Sequence, residues 1–253
     1  MLKRGFNRVG QVTVFIVIAL ILIGAIITTL VFRNKINILE VQSNNLNFEF
    51  KQIDSAIEDC VRQRAIDAVR IVGLQGGYVN LPKDYLVTNI SNIAYGYYNG
   101  KNTLPTLEII EKEISGYIEE TIPYCLNLGD LLNYNITFGK SYATTKIKGD
   151  FVSVTGNLPI SITKEEKSLT ADRKYSSEIS INLKNIHIVA EDTINKIIED
   201  PEYIPIGYLA EKDFFIIVLL VDEKRTIYGI TQNKTETNID GVPYTFLFAS
   251  KKK

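Results

Sequence analysis

Between Val12 and Phe32 the chain runs for 21 residues without a charge, and its polar members are Thr13, Thr28 and Thr29. A threonine hydroxyl can bond back to the carbonyls of its own helix. At 1.5 Å per residue the stretch spans ~31 Å as a helix, against ~30 Å for a bilayer's hydrocarbon core. It exceeds the ~7–15 apolar residues of a secretory signal, and no small-x-small cleavage site follows. The pattern therefore predicts a transmembrane helix over 12–32. From Ile36 to Leu74 the period stays helical. Leu46, Phe50, Ile53, Ile57 and Cys60 alternate at steps of four and three, and Ala68 and Ile71 continue the row past Arg64. The paired glycines of "GLQGGY" (Gly73 to Tyr78) supply a stop. No proline falls between Val12 and Gly76, so both helices can run on as one rod, with Asn44-Asn45 as its break point.

A short strand comes next, with Ile93, Tyr95 and Tyr97 alternating before the turn signal Asn99-Gly100. Tyr95, Tyr97 and Tyr98 form either a partner-binding surface or ordinary strand packing, because tyrosine joins apolar area to a polar tip. Pro105 opens a second helix with Leu107, Ile110, Ile114, Ile118 and Ile122 on one face, and Pro123 ends it. Cys60 and Cys125 extend the stripes of the two helices. Packing those faces together would join them as a disulfide worth about 4 kcal/mol in the chain-entropy model, the alternative being two buried thiols.

From Tyr134 the period falls to two. "YNITFG", "ATTKIKG", "FVSVTG", "PISIT", "EISINL" and "TIYGITQ" read as strands of an antiparallel sheet. "KEEKSLTADRK" (Lys164 to Lys174) reads as a polar hairpin tip and Ala190 to Pro201 as a short helix. "FFIIVLLV" (Phe214 to Val221) reads as a central strand buried on both faces, and Tyr244 to Ser250 as the last strand. The fold class is α+β: a transmembrane helix continuing into a long amphipathic helix, with an extracellular head of helices packed on an antiparallel sheet. The segments are a basic leader over 1–11, the transmembrane helix over 12–32, a helical stalk and helix pair with a hairpin over 33–130, and a β-rich domain with one short helix over 131–253.

Composition narrows the functions. A net charge of −1 over 253 residues argues against a nucleic-acid protein, which needs a basic face or stripe. Lys3, Arg4 and Arg8 before the apolar run, against Arg33 and Lys35 after it, favour a cytoplasmic N-terminus and an external C-terminal domain. The sequons at Asn89, Asn135 and Asn233 agree with that side as glycosylation sites.

The basic start followed by "GQVTVFIVIALILIG" resembles the class III signal of archaeal type IV pilin-like proteins. The resemblance implies cleavage between Gly10 and Gln11, before the apolar run, so processing leaves the helix in place as anchor or filament core. It covers about the first 32 residues. Phe15 stands where that family often has a glutamate associated with assembly. An ordinary signal-anchor helix is the other reading.

No catalytic constellation is legible. His187, between Ile186 and Ile188, is the single histidine and reads as structural. Phosphate-binding glycine motifs are absent, and Glu108, Glu111 and Glu113 read as the wet face of the second helix. The sequence thus predicts a single-pass surface protein without enzymatic activity or cofactor. It is a pilin-like or adhesion component that partners the membrane, associates with itself through the N-terminal helix and meets other surface or envelope components. The alternative is a membrane-anchored binding or accessory module that does not polymerise.

Overall fold

A computed structural model describes residue 51 and residues 53–124, 135–164, 167–232 and 238–253. The chain divides into two compact units, Met1–Ser55 and Ala56–Lys253. The described residues of the first unit, 51 and 53–55, are helical. The second unit is an α+β domain with two sheets.

This corrects the expected architecture. The apolar run over 12–32 lies outside the described residues, and among the described residues no helix is long and apolar enough to cross a membrane. The helix over residues 56–74 (α1) holds Glu58, Asp59, Arg62, Arg64, Asp67 and Arg70, which no hydrocarbon layer would accept. Its buried face is Ile57, Val61, Ala65, Ala68, Val69 and Val72. Ile57 and Ala68 of the expected row lie on that face, whereas Cys60 and Ile71 are only partly buried, as is Arg64 between them. A row containing a guanidinium cannot enter a core unpaired, whereas the four-residue steps from Ile57 to Val69 contain no polar side chain.

Three short strands follow α1: β1 (Tyr85–Leu86), β2 (Ile93–Tyr98) and β3 (Lys101–Asn102). Asn99 and Gly100, between β2 and β3, both have positive φ, as a tight hairpin turn demands. Helix α2 (Leu107–Thr121) begins at Thr106, whose side chain accepts from the Ile109 N–H. It buries Ile110, Ile114 and Ile118, and Ile122 is buried in the turn beyond.

Strands β4 (Asn135–Phe138), β5 (Tyr142–Ile147), β6 (Val152–Lys164) and β7 (Lys167–Ile179) form one antiparallel sheet. Strand β6 pairs with β7 along its whole length, while its other edge is shared by β5 over 152–157 and β4 over 160–163. The two short runs expected around Gly156 and Pro159 are thus one strand. Pro159 is tolerated because its carbonyl accepts from Gly139 N, just beyond β4, so its missing N–H faces the gap between the two partners. The expected hairpin tip over Lys164 to Lys174 is corrected as well, since most of it is β7.

Helix α3 (Leu183–Glu199) starts before Ala190 and includes His187. A five-residue helix α4 (Ile206–Ala210) leads into β8 (Phe214–Leu220), β9 (Arg225–Gln232) and β10 (Thr245–Lys251). The second sheet has the order β1-β2-β10-β9-β8, with β3 on β2. Pairing of β2 with β10 is parallel, so the expected wholly antiparallel sheet is corrected there. The two strands are far apart in sequence, which frees them from hairpin geometry. This pairing also ties the segment before residue 130 to the segment after it.

Glycines let the layers meet. A side chain at Gly156 of β6 would strike Ile122 and crowd Val61 of α1, and one at Gly73 would strike Thr245 and Tyr244. Twelve residues separate Val61 from Gly73, or ~18 Å of helix. Helix α1 therefore reaches from the β6 sheet to the β10 sheet. At Gly96 of β2, Ile194 of α3 and Phe248 of β10 approach in the same way.

Gly77 has φ +96°, and an added Cβ would collide with Pro105 Cγ. Gly77→Ala is expected to destabilise by about 2 kcal/mol or more. Gly116→Ala, in α2 with open space around it, is expected to stabilise by about 0.5–1 kcal/mol. Urea midpoints of the two variants check the opposite signs.

Candidate functional site

A cleft of about 590 Å³ lies between α2 and β5 and is lined by Glu108, Glu111, Lys112, Ser115, Gly116, Glu119 and residues 143–146. Its geometry follows from a second row on α2. Glu111, Ser115 and Glu119 repeat at four-residue steps, one position after Ile110, Ile114 and Ile118. When the isoleucines go inward, this row lies at the margin of the core, against the free edge of β5.

The periods match. Eight helical residues rise ~12 Å, and four strand residues ~13 Å. Glu119 Oε1 accepts from Ala143 N at 2.8 Å, and Glu111 Oε1 accepts from Ile147 N at 2.9 Å. Between them the Ser115 hydroxyl lies 2.9 Å from Thr145 Oγ1. Glu111 also takes an ion pair from Lys146 at 2.8 Å, and the Ser141 hydroxyl donates to the Glu119 carbonyl at 2.6 Å. The carboxylate bonded to Lys146 holds that ammonium above its ordinary pKa. Glu113, on another face, accepts from Val79 N and Asn80 N, both at 2.9 Å. The acidic run is therefore not simply a wet face. Glu111, Glu113 and Glu119 close backbone donors, and Glu108 is the exposed member, held below its ordinary pKa chiefly by the Thr106 hydroxyl.

His187 is nearly buried, and its Nε2 lies 2.7 Å from the Pro105 carbonyl, so a protonated Nε2 ties α3 to the start of α2. It lies in α3, among the helix's buried residues. Among the described residues no group of His, Cys, Asp or Glu could hold a metal ion.

The sequence-derived candidates are scattered. Tyr95 and Tyr97 are buried, and Tyr98 is partly exposed with its hydroxyl 3.5 Å from Asp84 and its ring beside Tyr95. Asn89 and Asn135 are exposed, on a loop and at the start of β4. Gly10, Gln11, Cys125 and Asn233 lie outside the described residues. No bridge between two described cysteines exists, so the expected Cys60–Cys125 disulfide gains no described geometry. Cys60, the one described cysteine, is not a free thiol.

The expectation for β8 is corrected. Rather than a central strand buried on both faces, it is the sheet's last strand. Phe215, Ile217 and Leu219 on one face are 46–58% exposed, and Leu220 beyond them 63%. An unbroken apolar run could not separate a central strand from an edge strand, because strand order is set by pairing elsewhere. Sequence reasoning also missed the Glu111–Ser115–Glu119 row, whose legible signal was its place directly beside the isoleucine row.

No family model, curated protein or solved structure matches the chain.

Glu111→Ala is expected to strand the Ile147 N–H and destabilise by about 1–3 kcal/mol. Glu111→Gln keeps an acceptor and is expected to lose less. Thermal denaturation at neutral pH checks the order of the two variants.

Proposed function

We propose that the chain is a non-catalytic structural or adhesion component displayed at the cell surface, of the pilin-like kind. One observation supports the domain's part in this reading. The side chains best suited to acid–base chemistry, Glu111, Glu113, Glu119 and His187, are each bonded to backbone groups that hold the layers together. A general base must instead be free to meet a substrate proton. The Gly10–Gln11 junction supplies the pilin-like part. Phe15, standing where a glutamate is common in that family, favours a second reading, a surface binding or accessory module that does not polymerise.

The test is intact mass and N-terminal sequencing of the protein from its own cells, with protease treatment of whole cells beforehand. A start at Gln11, loss of that start in Gly10→Val, and digestion of the domain on intact cells are expected. A chain retaining Met1 and protected from protease would contradict the proposal. Electron microscopy of the same material separates the two readings, since only the first produces filaments.

A further inference from the structure

The β10 sheet presents two faces. On one of them Gly96 and Phe248 meet Ile194 of α3. Ile217, Gly229 and Leu247 stand side by side across β8, β9 and β10, and by strand alternation they belong to the other face. Toward β2 this second face is closed by Leu86, Ile93 and Tyr95, packed with Ile227 and Ala249. Toward β8 it is open. Phe215, Ile217, Leu219 and Val221 are each 41–58% exposed. Together they offer on the order of 400 Å², a size that marks a protein or membrane interaction site.

The open area has little for a polar partner to bind. Leu247 and Ile217 crowd the space over Gly229. In the next row, Phe215 stands beside Thr231 and Thr245, whose hydroxyls lie 2.8 Å apart and bond each other. Neither row presents a free hydroxyl.

The chemistry changes at the Val221 end. Val221 N donates to the Arg225 carbonyl, Arg225 stands opposite Lys251, Lys251 opposite Tyr98, and Tyr98 opposite Lys101. Residues directly opposite share a face, and the Lys251 ammonium lies 5.2 Å from the centre of the Tyr98 ring. Lys224, in the turn before Arg225, and Lys253, whose side chain lies over Gly100, flank this cationic row. Among the nearby carboxylates, Asp222 pairs with Arg225, Asp84 lies 3.5 Å from the Tyr98 hydroxyl, and Glu223 stands in the turn. Lys101, Lys224, Lys251 and Lys253 have no ion pair among the described residues.

We propose that this face docks on a lipid bilayer carrying anionic headgroups. Phe215, Ile217 and Leu219 enter the boundary of headgroups and acyl chains, and the lysines of the basic end reach the headgroups. Lysine stems lie along apolar surface while their ammonium groups stay in the polar layer. A nucleic acid would meet the cations and leave the apolar rows in water, whereas a bilayer satisfies both. The inference needs a membrane near the domain, which the surface reading above supplies. It needs neither filaments nor cleavage at Gly10–Gln11, so it and that reading can fail separately.

The chain has no tryptophan, so Phe215→Trp places a single reporter on this face and Tyr142→Trp a control on β5 of the other sheet. Each full-length variant is reconstituted by detergent removal into nanodiscs of anionic or of wholly zwitterionic lipid, with lipids brominated in the upper acyl chain as quenchers. The apolar run over 12–32 is present in every sample, so differences among lipids and variants report on the domain. In anionic discs the Phe215→Trp reporter is expected to shift to the blue and to be quenched, and the control to do neither. Leu219→Trp is expected to behave like Phe215→Trp, which guards against a local packing defect. Adding Lys101→Glu and Lys224→Glu is expected to abolish the shift and the quenching with an unchanged circular dichroism spectrum. Absence of quenching in anionic discs, equal quenching in zwitterionic discs, or indifference to the charge reversals would overturn the proposal. So would a blue shift without lipid quenching, the signature of burial against a second copy or another protein.

Discussion

Backbone hydrogen bonding at strand edges is the constraint on which the domain's arrangement depends. A strand at the end of a sheet leaves N–H and C=O groups that must meet water, a side chain or another strand. At β5 they meet α2. The helix is placed there by Ile110, Ile114 and Ile118, each fully buried and each worth about 1.5–3 kcal/mol in transfer from water. Once those side chains set its rotation, Glu111 and Glu119 fall where the amides of Ile147 and Ala143 need acceptors. Hydrophobic burial chooses the helix face, and the neighbouring row of the same helix closes the sheet.

The two sheets depend in turn on α1. Its alanines and valines present a narrow ridge, and Gly156 and Gly73 mark where strand and helix backbones come close at its two ends. Arg70, near the second end, donates to the Ile239 carbonyl and pairs with Asp240, each at 2.9 Å. Helix α3 packs on the β10 sheet through Ile194, beside Gly96 and Phe248, and is held to the start of α2 by His187. Tyr208 then fixes α4 to α3, donating to Asp192 at 2.7 Å, with Lys196 and Lys212 over its ring. Burial, reinforced by Asp192, raises the pKa of that phenol and keeps it a donor. The chain leaving α4 is thereby delivered to the open edge where β8 lies.

What the sequence made legible is local. The isoleucine row of α2, the Asn99-Gly100 turn and the paired glycines closing α1 all depend on neighbours a few residues away, and each is visible as a pattern. What it hid is relational. Cys60 and Ile71 continue a row that starts in the core at Ile57, but they are only partly buried, because the core follows the four-residue steps from Ile57 to Val69 while Arg64 turns its guanidinium to Asp67. The start of α3 was set too late, at Ala190 and not Leu183, so His187 fell outside the expected helix. The helical row Leu183, Ile186, Ala190, Ile194 and Ile197 was present and was favoured by packing on β2. The parallel pairing of β2 with β10 and the edge position of β8 were out of reach, since neither leaves a periodic trace. The acidic row of α2 was misjudged because its acceptors serve a strand whose position was unknown.

The most direct measurement is residue-resolved amide hydrogen exchange by NMR along β5. Thr144 and Lys146 direct their N–H groups toward β6, while Ala143 and Ile147 direct theirs to α2. If the carboxylates of α2 close the edge, all four amides exchange at comparable, slow rates. Slow exchange at Thr144 and Lys146 with rapid exchange at Ala143 and Ile147 would mean that the edge is open to water and would contradict the account.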